Sequence, residues 1–577
     1  MTQINLNTYI SKLPSETKYT AFDGLQWEGK KIADIMLSVR HKIKMHTDNE
    51  IEDWFILDII KDNYIVASED IRLSDEDINK INWFDIYNGC KVSPDVPKAN
   101  SYLISIVKHL LSDSSLETVE YQQIEKLGLN KIKIGSLENC YCYNTGEKLI
   151  LHESIRDNDI SERIKFRQSD WVLKEDTENY SEEEATEGII KAISLNKRVG
   201  LPVLTFTIAG FLKSLYRECG IPPKFILYIC GRKGRKKTPY ISLMSPIFNK
   251  IDNYSKLILQ FNSSSYSVDN LVNNYSDFIV VLDNVYLSED NDINRRIKKT
   301  FEEAVQIIGD DINKSKAGKQ YQPSSSIIAT GENDGIGNPS TIGRYLTIPF
   351  GDILSTRKKE IILSECQNEP LLISTFYYYL LQYVIDNITE IKAGIHVLLQ
   401  DFREISSSLQ FINSKLRDMY LVLLTSYMIF LNYCEDKNFM SNKEVICLKE
   451  NFSSQLLELL RNHSETIKEK ETKETLATYD FVQLIKYWYI NDMYDMAKDE
   501  NDKQLENREA LIYKDCLCLR TKPLIRKINK SFPDDKIRDK DFTAQLVAKG
   551  MLESDSDKNG KKIKGLRFMV IPLSKLK

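Results

Sequence analysis

Five short apolar segments that alternate with helix-like segments place the strongest constraint on the fold of this chain. They lie within residues 186–355 and read KFILYIC, KLILQF, DFIVVLD, SIIAT and YLTIPF. A strand buried on both faces of a parallel sheet has a continuous apolar sequence, whereas a half-exposed strand alternates apolar and polar residues. Parallel strands also need crossover connections, which are usually helices. The pattern therefore predicts a parallel α/β sheet.

The rest of the chain predicts further domains on both sides of this sheet. At 577 residues the chain is about four times the length of a typical ~150-residue domain. The N-terminal part contains the strand-like WFILDII and YIVAS and a helical SYLISIVKHLLSD, and the acidic KEDTENYSEEEATEG then marks a boundary and starts the next helix. We therefore predict an α/β multi-domain protein with an α/β domain at 1–185, the sheet domain at 186–355, a helical bundle and connector at 356–505 and a C-terminal domain at 506–577.

The segment GRKGRKKT follows KFILYIC directly and precedes a helix-like stretch. A strand, a glycine-containing loop and a helix in this order are typical of a phosphate-binding P-loop, G-x-x-x-x-G-K-[ST]. Gly231, Lys237 and Thr238 match this template, and Gly234 lies within the loop. Backbone N–H groups at the helix start would bind the phosphates of ATP, with Lys237 on the β and γ oxygens and Thr238 on Mg²⁺. A basic surface turn is the alternative.

Lys236 occupies the position of the second glycine of the template. If that position needs a positive φ, a side chain there costs ~1–2 kcal/mol. Its bulk also obstructs the close approach of phosphates. Pro239 directly follows Thr238. Proline has no backbone N–H, and it is tolerated here because N–H groups in the first turn of a helix have no partner within the helix.

Polar residues end two of the other apolar segments. Asp283 ends the run DFIVVLD, 45 residues after Thr238, and would hold Mg²⁺ as a Walker B aspartate does. Asn284 follows it where a glutamate would polarise the attacking water, and an amide can position water but cannot accept its proton. Thr330 ends SIIAT, where a residue that senses the γ-phosphate is expected, and Glu332 lies beside it. A buried strand with a terminal Asp-Asn turn is the alternative.

The C-terminal residues differ from the rest of the chain in charge. Residues 511–577 contain 17 Lys and Arg against 8 Asp and Glu, which gives +9; since the whole chain carries −5, the other residues carry −14. Two helix-like segments, TKPLIRKINK and KDFTAQLVAKGML, precede a basic strand pair, GKKIKGLRFMVIPL. This order is that of a winged helix, in which Lys561, Lys562 and Lys564 would contact the DNA backbone. A winged helix that binds protein is the alternative.

These motifs occur in an order that resembles a known family. The segments LTFTIAGFLKSLYRECGIPPKFILYICG, FNSSSYSVDNLVNNYSDFIVVLDN and INKSKAGKQYQPSSSIIATGEN resemble the P-loop, Walker B and hairpin-sensor regions of self-loading, MCM-like AAA+ helicases and replication initiators. Members of this family occur on bacterial mobile elements of the cassette-chromosome and pathogenicity-island kind. The resemblance implies a ring-forming AAA+ core, such as a hexamer, and a C-terminal winged helix that binds duplex DNA. Lys236 and Asn284 depart from the family pattern, and they weaken the expectation of ATP hydrolysis more than that of ATP binding.

The resemblance also implies roles for residues outside the P-loop. Arg344 precedes the run YLTIPF, where ring-forming AAA+ proteins present an arginine finger to the neighbouring subunit. Lys314, Lys316 and Lys319 surround a glycine-containing turn, where related helicases project a hairpin that contacts single-stranded DNA in the ring pore. A surface arginine and a solvated loop are the alternatives.

Two functional hypotheses share these residues. The first is an ATP-dependent DNA helicase and replication initiator of a mobile element, which couples ATP to unwinding or origin melting. The second is a catalytically weakened homologue that binds nucleotide only as a ligand for assembly. It would act as a DNA-binding or regulatory subunit without unwinding DNA. A defence or scaffold protein without DNA contact is a third.

Cysteines and apolar runs indicate a cytoplasmic protein without a membrane anchor. The C-x-C pairs Cys140/Cys142 and Cys516/Cys518 have no second pair at zinc-ligand spacing, so we expect buried thiols. The most apolar run, YLVLLTSYMIFLNYC, is shorter than the ~20 residues of a membrane helix and predicts a core helix.

Overall fold

A computed structural model describes residues 2–20, 24–47, 50–134, 140–156, 158–250, 258–260, 272, 275–285, 291–311, 314–316, 319–351, 356–405, 414–477, 481–531, 542–543, 546–547, 549–552 and 561–576. Contacts between residues divide the chain into two compact units. The first comprises Met1–Asp334 and Arg344–Leu460, and the second comprises Gly335–Gly343 and Arg461–Lys577. The limits of the four predicted domains remain predictions.

The N-terminal part of the first unit is mixed α and β, as the sequence predicts. Its strands are β1 (Thr2–Gln3), β2 (Thr17–Thr20), β3 (Gly24–Trp27), β4 (Lys30–Ala33), β5 (Met36–His46), β6 (Ile51–Lys61), β7 (Tyr64–Arg72), β8 (Thr118–Ile124), β9 (Gly128–Lys131), β10 (Tyr141–Asn144), β11 (Leu149–Leu151), β12 (Ile164–Phe166) and β13 (Trp171–Val172). Its helices are α1 (Leu6–Ile10), α2 (Asp75–Asn79), α3 (Trp83–Ile86), α4 (Ala99–Leu111) and α5 (Glu153–Arg156). Six strands form one sheet in the order β1-β7-β6-β5-β8-β12, and α4 packs its buried face on this sheet.

The central part of the first unit contains the predicted parallel sheet. Its strands are β14 (Ile226–Cys230), β15 (Phe248–Asn249), β16 (Ile258–Gln260), β17 (Ile279–Val285), β18 (Lys314–Lys316), β19 (Lys319–Tyr321), β20 (Ser326–Gly331) and β21 (Tyr345–Pro349). Its helices are α6 (Glu182–Ser194), α7 (Lys197–Phe211), α8 (Lys213–Glu218), α9 (Lys237–Met244) and α10 (Asn291–Asp310). Five strands form a sheet in the order β16-β17-β20-β14-β21, and every neighbouring pair is parallel. The prediction of a parallel sheet is therefore confirmed.

The acidic stretch before α6 starts that helix, as predicted. Ser181 and Glu184 form a capping box, in which the side-chain oxygen of each residue accepts a hydrogen bond from the backbone N–H of the other. The residues of LTFTIAGFLKSLYREC lie in two helices, α7 and α8, which Leu212 separates with φ −113° and ψ 21°. The interruption places Lys213 at the start of α8, inside the protein.

Long helices complete the first unit and begin the second. They are α12 (Arg357–Asn368), α13 (Pro370–Asp386), α14 (Ile388–Ile405), α15 (Ser414–Asp436) and α16 (Asn442–Ala477), and the short α11 (Pro339–Ile342) precedes them in the chain. Helix α13 packs on α6, and α15 packs on α7. The run YLVLLTSYMIFLNYC lies in the buried α15, as predicted. Within the part of the chain that the structure describes, no helix has the length and apolar character needed to cross a membrane.

The second unit contains a sheet with helices on its core side. Its remaining elements are α17 (Phe481–Ile490), β22 (Met496–Ala497), β23 (Ala510–Tyr513), β24 (Cys516–Leu519), α18 (Thr521–Ser531), β25 (Lys561–Ile563) and β26 (Leu566–Pro572). The strand order is β22-β23-β24-β26-β25. The predicted first helix corresponds to α18 and the predicted basic hairpin to β25–β26. Of the predicted second helix, residues 542–543 and 546–547 are helical, 549–552 are described but not helical, and the others lie outside the described residues. Helix α17 shares a hydrophobic core with α18, although the sequence groups its residues with the helical region.

Candidate functional site

The loop between β14 and α9 approaches the neighbouring strands closely. The Gly231 N–H donates to the Gly331 carbonyl oxygen at 3.0 Å, and a Cβ atom at Gly231 would lie 2.6 Å from the Phe350 carbonyl oxygen. Only glycine therefore fits at the start of the loop. Gly234 has φ +79°, a conformation that glycine adopts without steric cost.

Lys236 has the left-handed backbone conformation, with φ 65° and ψ 30°, directly before α9. The position that matches the second template glycine thus has a positive φ in this chain. Left-handed backbone brings Cβ close to the following carbonyl oxygen, at a cost of roughly 1–2 kcal/mol. The side chain of Lys236 therefore strains the backbone of the loop at this position.

Lys237 folds back over the loop. Its Nζ donates to the carbonyl oxygens of Gly231 at 2.6 Å and Arg232 at 3.0 Å. Burial lowers the pKa of Lys237, and the negative charge of Glu332 is the largest influence in the opposite direction. Because both partners are neutral carbonyl groups, the positive charge of Lys237 is not neutralised by these hydrogen bonds and can attract an anion.

Two hydroxyl groups converge on the Asp283 carboxylate. Thr238 Oγ1 donates to Asp283 Oδ1 at 2.6 Å, and Thr330 Oγ1 donates to the same oxygen at 2.5 Å. The Asn284 N–H in turn donates to Thr330 Oγ1 at 3.2 Å. Three elements, α9, β17 and β20, therefore meet at one carboxylate oxygen.

The pairing of β17 with β20 is irregular at this point. The register shifts between Leu282 and Val285, and Asn284 has φ 74°. Asparagine tolerates the left-handed conformation better than most residues do. A bulge of this kind re-aims side chains at the end of a strand.

These residues line an open cavity of about 330 Å³ at the carboxyl ends of the parallel strands. Ligands of open α/β sheets bind at this edge. The cavity contains the predicted Lys237, Thr238, Asp283, Asn284 and Thr330 together with Glu332. Its other lining residues are Lys233, Gly234, Arg235, Lys236, Pro239 and Gly331. The sequence interpretation assigned no role to Lys233 and Arg235, although the basic run GRKGRKK was the available signal.

The oxygen donors at this site suit Mg²⁺ together with a phosphate ligand. Among the described residues, no cluster of three or more His, Cys, Asp or Glu side chains could hold a metal ion. Mg²⁺ is commonly held by one or two carboxylates plus phosphate oxygens and water, which needs no such cluster. Thr238 Oγ1 and Asp283 Oδ1 provide a hydroxyl and a carboxylate 2.6 Å apart.

Arg344 lies at the other end of the sheet. It directly precedes β21, whose first residue pairs with the first residue of β14, so the length of β21 separates it from the loop by about 17 Å. Its guanidinium donates to Asp310 Oδ1 at 2.7 Å and 2.6 Å, and 17% of its side chain is exposed. Arg344 therefore does not join the cavity of its own chain.

The predicted DNA-contacting lysines lie on two hairpins. The strands β18 and β19 pair antiparallel, with Lys314 opposite Tyr321 and Lys316 opposite Lys319; the placement of these side chains lies outside the described residues. Lys561 and Lys562 are exposed on β25. Lys564 is exposed in the turn to β26, with φ 48°.

Among the described residues, neither cysteine pair forms a disulfide, and neither belongs to a cluster of three or more His, Cys, Asp or Glu side chains that could hold a metal ion. All ten cysteines are free. Cys142 and Cys518 are buried, as predicted, whereas Cys140 and Cys516 are only partly buried.

Comparison with known proteins supports a fold assignment. No protein-family model matches the chain, and no curated protein sequence matches it. Among solved structures, "SCCmec type IV Cch - active helicase" matches with a TM-score of 0.54 and 12% sequence identity, covering 98% of this chain and 99% of that chain. The chain shares its fold with a helicase. A second match, "The X-ray structure of JCV Helicase", has a TM-score of 0.25 and 14% identity over 38% of this chain and 62% of that chain, which is too weak to support an inference.

Proposed function

We propose that this chain is a ring-forming AAA+ DNA helicase and replication initiator of a mobile genetic element, which couples ATP to DNA unwinding or origin melting. The observation that carries the proposal is the convergence of Thr238, Asp283 and Thr330 beside the Lys237 loop. A phosphate loop, a metal-binding carboxylate and a γ-phosphate sensor need this arrangement on adjacent parallel strands. Similarity of fold to a structure titled as an active helicase supports it.

The phosphate loop and three of the polar residues at the strand ends and at the start of α9 have roles in this proposal. The loop backbone from Gly231 through Gly234 and the start of α9 bind the phosphates of ATP, and Lys237 exchanges its two carbonyl partners for phosphate oxygens. Thr238 and Asp283 hold Mg²⁺, which when bound neutralises charge that develops on the phosphates. Thr330 orients Asp283 and detects the γ-phosphate.

The same proposal assigns Arg344 and the basic hairpins to the assembled ring. Arg344 is too far from the cavity of its own chain, so an arginine finger would act on the neighbouring subunit of a ring such as a hexamer. Lys314, Lys316 and Lys319 would contact single-stranded DNA in the pore. The exposed Lys561, Lys562 and Lys564 would contact duplex DNA through a winged helix.

ATP hydrolysis measured with and without DNA tests the proposal. We expect hydrolysis that DNA stimulates and that Lys237→Ala reduces by about 100-fold or more, since a preorganised charge contact to the transferred group is lost. Lys358→Ala, which removes an exposed lysine on α12, is the matched control and should leave the rate unchanged. ATP binding without hydrolysis would contradict a helicase. It would support a regulatory subunit whose assembly depends on bound nucleotide.

A further inference from the structure

Glu332 is a carboxylate in the cavity to which the proposed roles assign no function. It directly follows Gly331, the last residue of β20, and β20 lies between β17 and β14 in the sheet. The Glu332 N–H donates to the Val285 carbonyl oxygen at 3.1 Å. Glu332 therefore sits at the end of the strand that separates the Asp283 strand from the phosphate loop.

The other carboxylate of the cavity is already engaged. Among the described residues, Asp283 and Glu332 are the two acidic residues that line the cavity. The Oδ1 atom of Asp283 accepts hydrogen bonds from both Thr238 and Thr330. A carboxylate oxygen next to a P-loop threonine is suited to holding a metal, and it is not free to remove a proton from water.

Asn284 cannot perform the proton transfer either. Its amide can accept or donate a hydrogen bond, but it has no basic site that takes a proton at neutral pH. A general base for ATP hydrolysis in this cavity would therefore lie at another position.

Glu332 lines the same cavity as Lys237, the group that would contact the γ-phosphate. Burial lowers the pKa of Lys237, and the negative charge of Glu332 opposes this effect. Glu332 is also exposed to solvent, so water can reach its carboxylate.

We propose that Glu332 is the general base for ATP hydrolysis in this chain, in place of the glutamate that Asn284 replaces; this inference rests on the proposed ATPase function. The Glu332 carboxylate accepts one proton from a water molecule as the water oxygen bonds to the γ-phosphorus. The bond between that phosphorus and the β–γ bridging oxygen breaks, and ADP leaves with the electron pair. The products are ADP and inorganic phosphate.

The variant Glu332→Gln tests this role, because glutamine retains the size and hydrogen bonding of glutamate but cannot accept a proton. We expect turnover to fall by about 100-fold to 10,000-fold, the range for loss of a general base. Affinity for a fluorescent ATP analogue should stay within about threefold of wild type, because the phosphate contacts remain. The nucleotide recovered from the isolated variant after incubation with ATP should be ATP, whereas wild type should yield ADP.

Two further variants separate a base from a structural role. Glu360→Gln makes the same change at an exposed position on α12 and should have wild-type turnover. Adding Asn284→Glu to Glu332→Gln places a carboxylate elsewhere in the same cavity and should restore part of the turnover.

Three results would count against the proposals in different ways. Turnover of Glu332→Gln within about threefold of wild type would overturn the role of Glu332. A parallel loss of ATP affinity would make Glu332 a binding residue and not a base. Absence of hydrolysis by the wild-type protein would overturn the proposed ATPase function, and the role of Glu332 with it.

Discussion

At the scale of single residues, the phosphate loop combines residues that fit it with one that strains it. Gly231 has no room for a side chain, and Lys237 and Thr238 have the contacts that the template requires. Lys236 instead holds a left-handed conformation that the template assigns to glycine. Lys236 keeps this conformation despite its cost because the surrounding structure determines the backbone at this position.

Replacement of Lys236 by glycine should relieve this strain. Removing the side chain from a residue with positive φ stabilises the folded state by roughly 1–2 kcal/mol. Glycine loses more conformational entropy on folding, which offsets about 0.5–1 kcal/mol of this gain. We therefore expect Lys236→Gly to raise the melting temperature slightly and to bind ATP more tightly, because the side chain no longer hinders the phosphates.

Lys233→Gly is the control for this prediction. Lys233 lies in the same loop and loses the same charge, but it is not among the residues with a positive φ. Calorimetry measures the melting temperatures of both variants, and titration measures their affinity for ATP. A lower melting temperature for Lys236→Gly than for Lys233→Gly would refute the strain argument.

At the scale of elements, the interruption between α7 and α8 creates a buried ionic site. Lys213 is 1% exposed, and its Nζ donates to the Ser325 carbonyl oxygen at 2.7 Å. Asp277 is fully buried and accepts from the N–H groups of Ser214 at 2.6 Å and Leu129 at 3.0 Å. These bonds tie α8, the β9 region and the segment before β17 together.

Burial shifts both pKa values towards neutrality. The pKa of Lys213 falls to about 7 because of burial, with a further lowering by Arg217 and opposition from Asp311 and Asp277. The pKa of Asp277 rises to about 6 because of burial, although its backbone hydrogen bonds oppose this. The folded protein thus holds these groups at a free-energy cost when they are charged.

Lys213 should therefore contribute stability to the first unit that grows with pH above neutrality. Between pH about 7 and 10.5 the unfolded chain keeps the Lys213 proton that the folded chain releases, so the contribution of this group to the free energy of unfolding increases across this window. Asp277 acts in the opposite direction between pH about 4 and 6, where the folded chain keeps the proton that the unfolded chain releases.

The variant Lys213→Met tests this dependence. Melting temperatures measured from pH 7 to pH 9.5 should rise less for the variant than for wild type, because methionine has no proton to release. The exposed Lys358→Met should retain the wild-type slope. Equal slopes for wild type and Lys213→Met would show that Lys213 does not titrate in this range.

The sequence predicted the elements that local patterns define, and missed those that depend on distant contacts. Continuous apolar runs identified the strands of the parallel sheet, and GRKGRKKT identified the loop. The hairpin β23–β24 was missed because its turn residues Lys514 and Asp515 have positive φ, whereas such turns usually contain glycine or asparagine. The buried role of Asp277 was missed because its partners at Leu129 and Ser214 are far away in sequence.

At the scale of the whole molecule, the chain passes between the two units three times. It crosses after Asp334, after Gly343 and after Leu460. The segment Gly335–Gly343, which joins the end of β20 to Arg344, belongs to the second unit, where His463 Nε2 lies 3.0 Å from the Ile342 carbonyl oxygen. The two units are therefore connected by three stretches of chain.

Combined replacement of Lys561, Lys562 and Lys564 by alanine should weaken duplex DNA binding. Each lost phosphate contact reduces the slope of log affinity against log salt concentration by about 1, so the three changes should reduce it by up to about 3. Fluorescence anisotropy at several salt concentrations measures this slope. Lys498→Ala with Lys503→Ala, at exposed positions after β22, is the control, and an unchanged slope in the triple variant would exclude these lysines from the DNA backbone.

ATP-dependent separation of a labelled forked DNA duplex tests the central claim most directly. The wild-type protein should displace the labelled strand with ATP and Mg²⁺ and should not do so without ATP. Lys237→Ala should bind the fork through its intact C-terminal hairpin but leave the duplex paired. Strand displacement that is independent of ATP, or equal in wild type and Lys237→Ala, would contradict an ATP-driven helicase.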